Sequence, residues 1–322
     1  MILVTGCNGN LGRRLVARLA KENEKVRGLA LYKPKNMDPS VEVIVGNPLE
    51  EGILKKACDG VDTVFHLMDV KGTRHYSRGQ MKKINIRGTR NILAAAEKAG
   101  VKKFIFMSTY EVYGKTKKIP TRPDDRKKPI IKYGRDKLKA ELICQEYIKK
   151  DTMSITILRP ALVVGPGTGN PVVLIALLMA LGMGDDNRLF VAGNGDTRFQ
   201  MLHPDDAVEA MILSHKTAAA KGKIYNLGSD DVPTQMEQTI KVKELAKLDC
   251  TVRHISSGKA KFLYRILRPF KLSYHTKEHV FYLLNNMLLD CQHAKAELKW
   301  EPEKTNIDII LETIRWYEND KL

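Results

Sequence analysis

Apolar positions along the first half of the chain come in short runs separated by stretches with a helical rhythm. Ile2-Leu3-Val4 leads into a glycine-rich turn, after which Leu11, Leu15, Val16 and Leu19 recur every three or four residues. Val26 to Leu31, Val41 to Val45, Val61 to Leu67 and Phe104 to Met107 read as strands, and Met81, Ile84, Gly88, Ile92 and Ala95 as one stripe of a helix. A helix over Tyr133 to Lys150 and a strand over Ile155 to Leu158 continue the series. Strands alternating with helices predict an α/β fold with a parallel sheet covered on both faces, and right-handed crossovers make it doubly wound.

The texture changes after Arg159-Pro160. Gly165 to Gly169 is a loop, Val172 to Leu181 is apolar, and Leu189 to Ala192 and Ile224 to Leu227 read as strands around a helix beginning at Pro204. From about Ser229 the chain reads as mainly helical, ending in Ile307 to Tyr317. The expectation is two interleaved lobes. Residues 1–165 plus about 198–228 carry the sheet, and about 166–197 plus 229–322 form a smaller, mainly helical lobe.

A length of 322 residues suits two such lobes. With 43% apolar and 28% charged residues, the chain is neither disordered nor fibrous. No apolar run reaches the ~18 residues of a membrane span, and the opening MILVTGCNGNLG lacks the layout of a secretion signal. Cys7, Cys58, Cys144, Cys250 and Cys291 form no CxxC, so neither a disulfide framework nor a cysteine zinc site is expected. The reducing cytoplasm is the expected compartment. Lys and Arg number 54 against 37 Asp and Glu, a net +17 that draws anions. With no single-sign tail and no aromatic-rich RNA motif, a generally basic surface is favoured over specific nucleic-acid binding. His275 and His279 stand four apart, but without a third ligand or an HExxH order they point to no metal. Phe262 to Leu289, apolar and basic, reads as a packing face of the smaller lobe, ahead of a membrane-surface or long-apolar-substrate role.

Thr5-Gly6-Cys7-Asn8-Gly9-Asn10-Leu11-Gly12 joins the first strand to the first helix. Glycines at such a junction permit a tight turn and let backbone approach a pyrophosphate, which the helix N-terminus favours. Gly6, Asn8, Gly9, Asn10, Leu11 and Gly12 are therefore candidate cofactor contacts in a Rossmann-like fold.

The GxxGxxG spacing resembles the extended short-chain dehydrogenase/reductases, the NAD-dependent epimerase/dehydratase family. The resemblance runs along nearly the whole chain. His66-Leu67 closes a strand, Asn85-Ile86-Arg87-Gly88-Thr89 resembles NxxGT, and Ser108 to Gly114 matches the segment after the fifth strand. Tyr133 to Lys137 matches YxxxK. Arg159-Pro160, Gly165-Pro166, His203 to Ala207 and Leu298 to Pro302 follow in order. The resemblance adds Asn47, Leu67, Asn85, Tyr133, Lys137 and Pro160 to the cofactor contacts. It also implies a homodimer through the helices around Gln80 to Gly100 and Tyr133 to Lys150.

Tyr133 and Lys137, four apart on a helix, share a face. A nearby ammonium favours phenolate, lowering a pKa of ~10. Such a tyrosine exchanges a proton with an alcohol or ketone while hydride passes to or from NAD or NADP. The resemblance gives Thr109 the task of bonding the substrate oxygen, with Ser108 as the fallback, and Lys137 that of holding the cofactor ribose. The expected substrate is a small alcohol, ketone or sugar, and the expected activity an epimerase or a dehydrogenase/reductase. The rival is a regulator that binds the dinucleotide without using it.

Departures from the family pattern narrow this. The second strand ends at Ala30 and Leu31 where NAD-preferring members carry an acid, and Arg13, Lys33 and Lys35 lie near enough in sequence to meet a 2′-phosphate, a slight lean to NADP. Asn47 replaces the usual Asp. Tyr110-Glu111 replaces the Asp–Glu pair of 4,6-dehydratases, which disfavours that activity. Leu162 and an out-of-register Arg198 put a UDP-sugar in doubt, and Arg159-Pro160 looks more like the hydroxysteroid and ketone dehydrogenase branch.

Overall fold

The computed structural model describes residues 1–71, 76–116, 118–168, 188–259 and 284–319. Val172 to Leu181, the His275/His279 pair and most of Phe262 to Leu289 lie outside them.

Strands β1 (Ile2–Thr5), β2 (Val26–Ala30), β3 (Glu42–Val45), β4 (Thr63–His66), β5 (Lys103–Met107) and β6 (Ser154–Pro160) form one sheet with the strand Ile224–Leu227. The order is Ile224–Leu227, β6, β5, β4, β1, β2, β3, and every pairing is parallel. β1 and β4 are buried at every position, as a sheet covered on both faces requires. Alternate residues feed opposite cores. Ile2 and Val4 join one cluster with Leu15, Val16 and Leu19 of helix α1 (Asn10–Lys21), while Leu3 joins the other with Leu54 of α2 (Glu51–Cys58).

Helix α3 (Arg78–Lys82) continues through a π-helical stretch, Lys83–Gly88, into α4 (Thr89–Lys98). Met81, Ile84, Gly88 and Ile92 of the expected stripe are buried; the wider turn adds Asn85 and Thr89 to them, and Ala96 rather than Ala95 is fully buried. Helix α5 spans Lys132–Lys150.

One feature of the C-terminal part departs from the sequence reading. Thr251–Ile255 is a strand rather than part of a helical run, and it pairs in parallel with Arg188–Ala192. Its side chains are mostly exposed, so its apolar pattern gave no sign of it; pairing sets its conformation. Ala294, Leu298 and Trp300 pack in the same core cluster as Ile2 and Val4. Between these lie helices Pro204–Lys216 and Gln235–Leu245, with Asn306–Asn319 at the end.

Candidate active site

The carboxyl ends of β1, β4, β5 and β6 border a cavity of about 330 Å³. Its first wall is the glycine turn. Gly6 adopts φ +74°, and its carbonyl accepts the Gly9 N–H at 2.9 Å. A Cβ on Gly12 would lie 2.1 Å from that carbonyl oxygen, so only glycine lets α1 start against the turn. Gly9 is exposed, and a Cβ there would meet only the same carbonyl, at 3.3 Å. No side chain caps α1 and its first turn holds no acidic residue, so its N-terminal N–H groups and positive dipole end are offered to the cavity. This edge suits a pyrophosphate.

Asn8, Asn10, Leu11, Leu67 and Pro160 also line the cavity. The Asn8 amide donates to the Tyr32 carbonyl at 3.5 Å. Asn10 donates to Thr168 Oγ1 at 3.2 Å and accepts from Arg14 Nε at 3.0 Å. Arg14 also reaches Asp205 at 2.6 Å and the Pro166 carbonyl at 2.7 Å.

The opposite wall is built by α5, the turn after β5 and the loop after β4. A Cβ on Gly134 would stand 2.5 Å from the Glu111 carbonyl oxygen, so this glycine lets α5 close on the turn and places Tyr133 in the cavity. Lys137 lies one helical turn on, buried, with Nζ 4.5 Å from the Phe106 ring centroid. Its ammonium meets Asp69 Oδ2 at 3.2 Å, and the Tyr133 hydroxyl donates to the same oxygen. The expectation that Lys137 would lower the Tyr133 pKa is therefore corrected. Burial, then Asp69, Glu111 and Asp136, hold the phenol well above its ordinary value.

Neighbouring charges are paired. Lys71 reaches Glu111 Oε1 at 2.7 Å and lies over the Tyr133 ring, 4.6 Å from its centroid. Arg78 grips Asp136 with both terminal nitrogens. Asp69, Lys71 and Glu111 are cavity residues to which sequence reasoning assigned no role. Ligands in open α/β sheets sit beyond the carboxyl ends of strands, so polar residues just after β4 were the available signal for the first two.

Thr109 lines the cavity, and its Oγ1 accepts the Glu111 N–H at 3.3 Å, capping the short 3₁₀ turn Tyr110–Val112. The Ser108 hydroxyl is committed elsewhere: it donates to Glu141, whose carboxylate holds Arg159 at 2.9 and 2.6 Å. Arg159 also donates to the Tyr113 hydroxyl at 2.8 Å, and Tyr113 in turn donates to Asn226 Oδ1 at 2.6 Å. This buried polar chain starts at Ser108, which also lines the cavity, and ties β5, α5 and β6 to the last strand of the sheet.

Three expected cofactor contacts fall outside the cavity lining: Lys137, which borders it through Asp69, and Asn47 and Asn85. Asn47 Oδ1 accepts the Leu49 N–H at 3.0 Å, forming a turn before α2. Asn85, carried inward by the π-helical stretch, binds both backbone groups of Val70 at 2.8 and 3.1 Å, and so pins the loop that holds Asp69. His66 is likewise internal. It bonds Thr5 Oγ1 at 2.7 Å and Thr89 Oγ1 at 3.0 Å, and burial with the nearby Lys137 charge lowers its pKa to about 3.

Known proteins share both sequence and fold with this chain. The UDP-N-acetyl-alpha-D-glucosaminuronate decarboxylase of Bacillus cytotoxicus is 29% identical over 340 residues, covering 99% of this chain and 98% of that protein. The N-acetyl-alpha-D-glucosaminyl-diphospho-ditrans,octacis-undecaprenol 4-epimerase of Escherichia coli O157:H7 is 30% identical over 264 residues, covering 75% and 73%. The structure of UDP-glucose 4-epimerase with UDP-glucose from Thermotoga maritima superposes with a TM-score of 0.79 at 24% identity, covering 100% and 99% of the two chains, a likeness of fold. A sequence model of the NAD dependent epimerase/dehydratase family matches residues 2–228. With its glycine turn facing Tyr133 across one cavity, the chain belongs to that family of NAD-dependent enzymes.

Proposed function

We propose that the chain catalyses reversible hydride transfer at a secondary alcohol or ketone of a small sugar-like substrate, as an epimerase or a dehydrogenase/reductase. One observation carries this reading: the glycine turn, Thr109 and Tyr133 line a single cavity, with Lys137 in contact through Asp69. NAD or NADP, held along the N-terminus of α1, supplies the hydride acceptor and donor. Tyr133 exchanges the proton of the substrate oxygen, Thr109 orients that oxygen, and Lys137 holds the ribose. The relatives named above carry sugars joined to a diphosphate in their names, which supports a sugar substrate of that kind. Leu162 lines the cavity with an apolar side chain that offers a diphosphate no hydrogen bond, so a diphosphate would be held by other groups here.

The lean to NADP rests on β2 ending at Ala30 with no carboxylate and on the exposed Arg13, Lys33 and Lys35. Equal NADP affinity in the Lys33→Ala/Lys35→Ala double variant would remove it. A cytoplasmic setting is supported by the free cysteines Cys7, Cys58, Cys144, Cys250 and Cys291. Among the described residues no helix is long and apolar enough to cross a membrane.

The test is incubation of UDP-glucose, UDP-glucuronate or UDP-N-acetylglucosamine with NAD or NADP, read as nicotinamide absorbance for net oxidation and as the epimeric sugar when the hydride returns. Tyr133→Phe is expected to lower the rate by ~10²–10⁴ while cofactor binding stays nearly unchanged. Full activity in Tyr133→Phe would reject proton exchange at this residue and return the dinucleotide sensor as the better reading.

A further inference from the structure

We propose that Asp69 is a third acid–base residue of this site, taking the Tyr133 proton as Tyr133 takes the proton of the substrate hydroxyl. The inference rests on the hydride-transfer reading above and replaces a lysine-stabilised phenolate with a proton relay.

Geometry carries it. The Tyr133 hydroxyl already donates to Asp69 Oδ2, and Lys137 Nζ sits 3.2 Å from that oxygen. The Asp69 side chain is 26% exposed and lines the cavity, so a proton placed on it has a route to solvent. The charges facing Tyr133 come from three directions. Lys137 and Asp136 lie on α5, Glu111 on the turn after β5, and Asp69 and Lys71 on the loop after β4. Each cation is matched by a carboxylate: Lys137 by Asp69, Lys71 by Glu111, and Arg78 by Asp136. A phenolate there would face Asp69 and Glu111 with their cations already shared, a costly arrangement in a partly dry cavity. The raised phenol pKa agrees with this.

In the oxidation direction, the substrate O–H bond breaks as its proton forms a bond to the Tyr133 oxygen. The Tyr133 O–H bond breaks as its own proton passes to Asp69. The carbinol C–H bond breaks and its electron pair leaves with the hydride to the nicotinamide, so the alcohol is oxidised and NAD or NADP reduced. The products are ketone, reduced nicotinamide and a protonated Asp69, with Tyr133 unchanged. In reverse, Asp69 returns its proton through Tyr133 to the oxygen that receives hydride at its carbon. Lys137 Nζ, 3.2 Å from Asp69 Oδ2, holds that carboxylate against the Tyr133 hydroxyl between turnovers.

The experiment compares the chain with Asp69→Asn, which keeps the shape and removes the charge. Phenolate absorbance is followed against pH in each, with the matching Tyr133→Phe variant subtracted so that Tyr133 alone is read. The measurement needs neither substrate nor cofactor. Tyr133 is expected to resist ionisation past its ordinary ~10 in the native chain and to ionise at lower pH in Asp69→Asn, where Lys137 is freed. Identical titrations would overturn the proposal. With a UDP-sugar that reduces the bound cofactor, Asp69→Asn is expected to slow that step ~10²-fold and to move its pH profile to the alkaline side. An unmoved profile would overturn the relay. Tight NAD binding by Asp69→Asn shows that the fold is intact. If no UDP-sugar reduces cofactor or is epimerised by the native chain, the substrate reading fails while the titration still decides the role of Asp69.

Discussion

A carboxylate at position 69 changes what a lysine four residues after a tyrosine can do. Spacing alone brings Tyr133 and Lys137 to one helix face, and the ordered motifs around them made Thr109 legible as well. Asp69 and Lys71 were not legible in the same way, because a loop after a strand has no periodicity from which to infer where its side chains point. Ser108 and Thr109 both line the cavity, yet the Ser108 hydroxyl donates to the buried Glu141 while Thr109 Oγ1 accepts the Glu111 N–H. Thr109→Ser is therefore expected to keep most activity, whereas Thr109→Val loses the hydroxyl and with it ~10²-fold in turnover. A melting curve separates that loss from the ~1 kcal/mol expected of the missing cap. His66 offers a pH test. Its folded pKa of about 3 lies below the ~6.5 of an unfolded histidine, so in that window the unfolded chain binds a proton that the folded one refuses. Stability from this group is complete above about pH 6.5 and falls as pH drops, by up to ~1.4 kcal/mol per unit. His66→Gln should flatten the acid limb of urea midpoints plotted against pH; an unchanged slope would show that other groups set it.

At the scale of elements, the junction of β1 with α1 assigns different tasks to glycines that look alike in the motif. Gly12 is where helix and turn touch, and Gly9 is where the turn faces the cavity. Gly12→Ala should lower the melting temperature and lose NAD together, since its Cβ collides with backbone. Gly9→Val should lose NAD with a smaller loss of stability, its Cβ meeting the Gly6 carbonyl at 3.3 Å. Equal NAD affinity in Gly9→Val and the native chain would show that the pyrophosphate does not pass over this turn. The alternation of strands and helices was readable here because the apolar runs of β1, β2 and β4 had to fill a sheet buried on both faces. The π-helical widening at Lys83–Gly88 and the strand Thr251–Ile255 were hidden, since one depends on tertiary packing of Asn85 and the other on its pairing partner.

For the whole molecule, the net charge of +17 predicts that an anionic ligand associates more slowly as ionic strength rises, a trend stopped-flow NAD binding would show. The paired-helix dimer expected from the family has a concrete face to test. Leu142 on α5 is 50% exposed, and Arg90 of α4 reaches Glu146 of α5 at 3.5 Å. Leu142→Glu should convert a dimer to a monomer in light scattering, and a native chain that is already monomeric at micromolar concentration rejects the face. Chain order does not say which core a late segment joins. Ala294, Leu298 and Trp300 join the early one.

The polar chain from Ser108 through Glu141, Arg159 and Tyr113 ends on Asn226, whose amide also donates to the Thr121 carbonyl at 2.8 Å. In the order of synthesis the glycine turn and Tyr133 come well before Asn226, so this chain lacks its terminal partner until residue 226 has been made. Vectorial synthesis thus completes the floor beneath Thr109 well after the dinucleotide edge of the sheet has emerged, so a nascent chain stalled before residue 224 lacks the strand that locks its reactive corner.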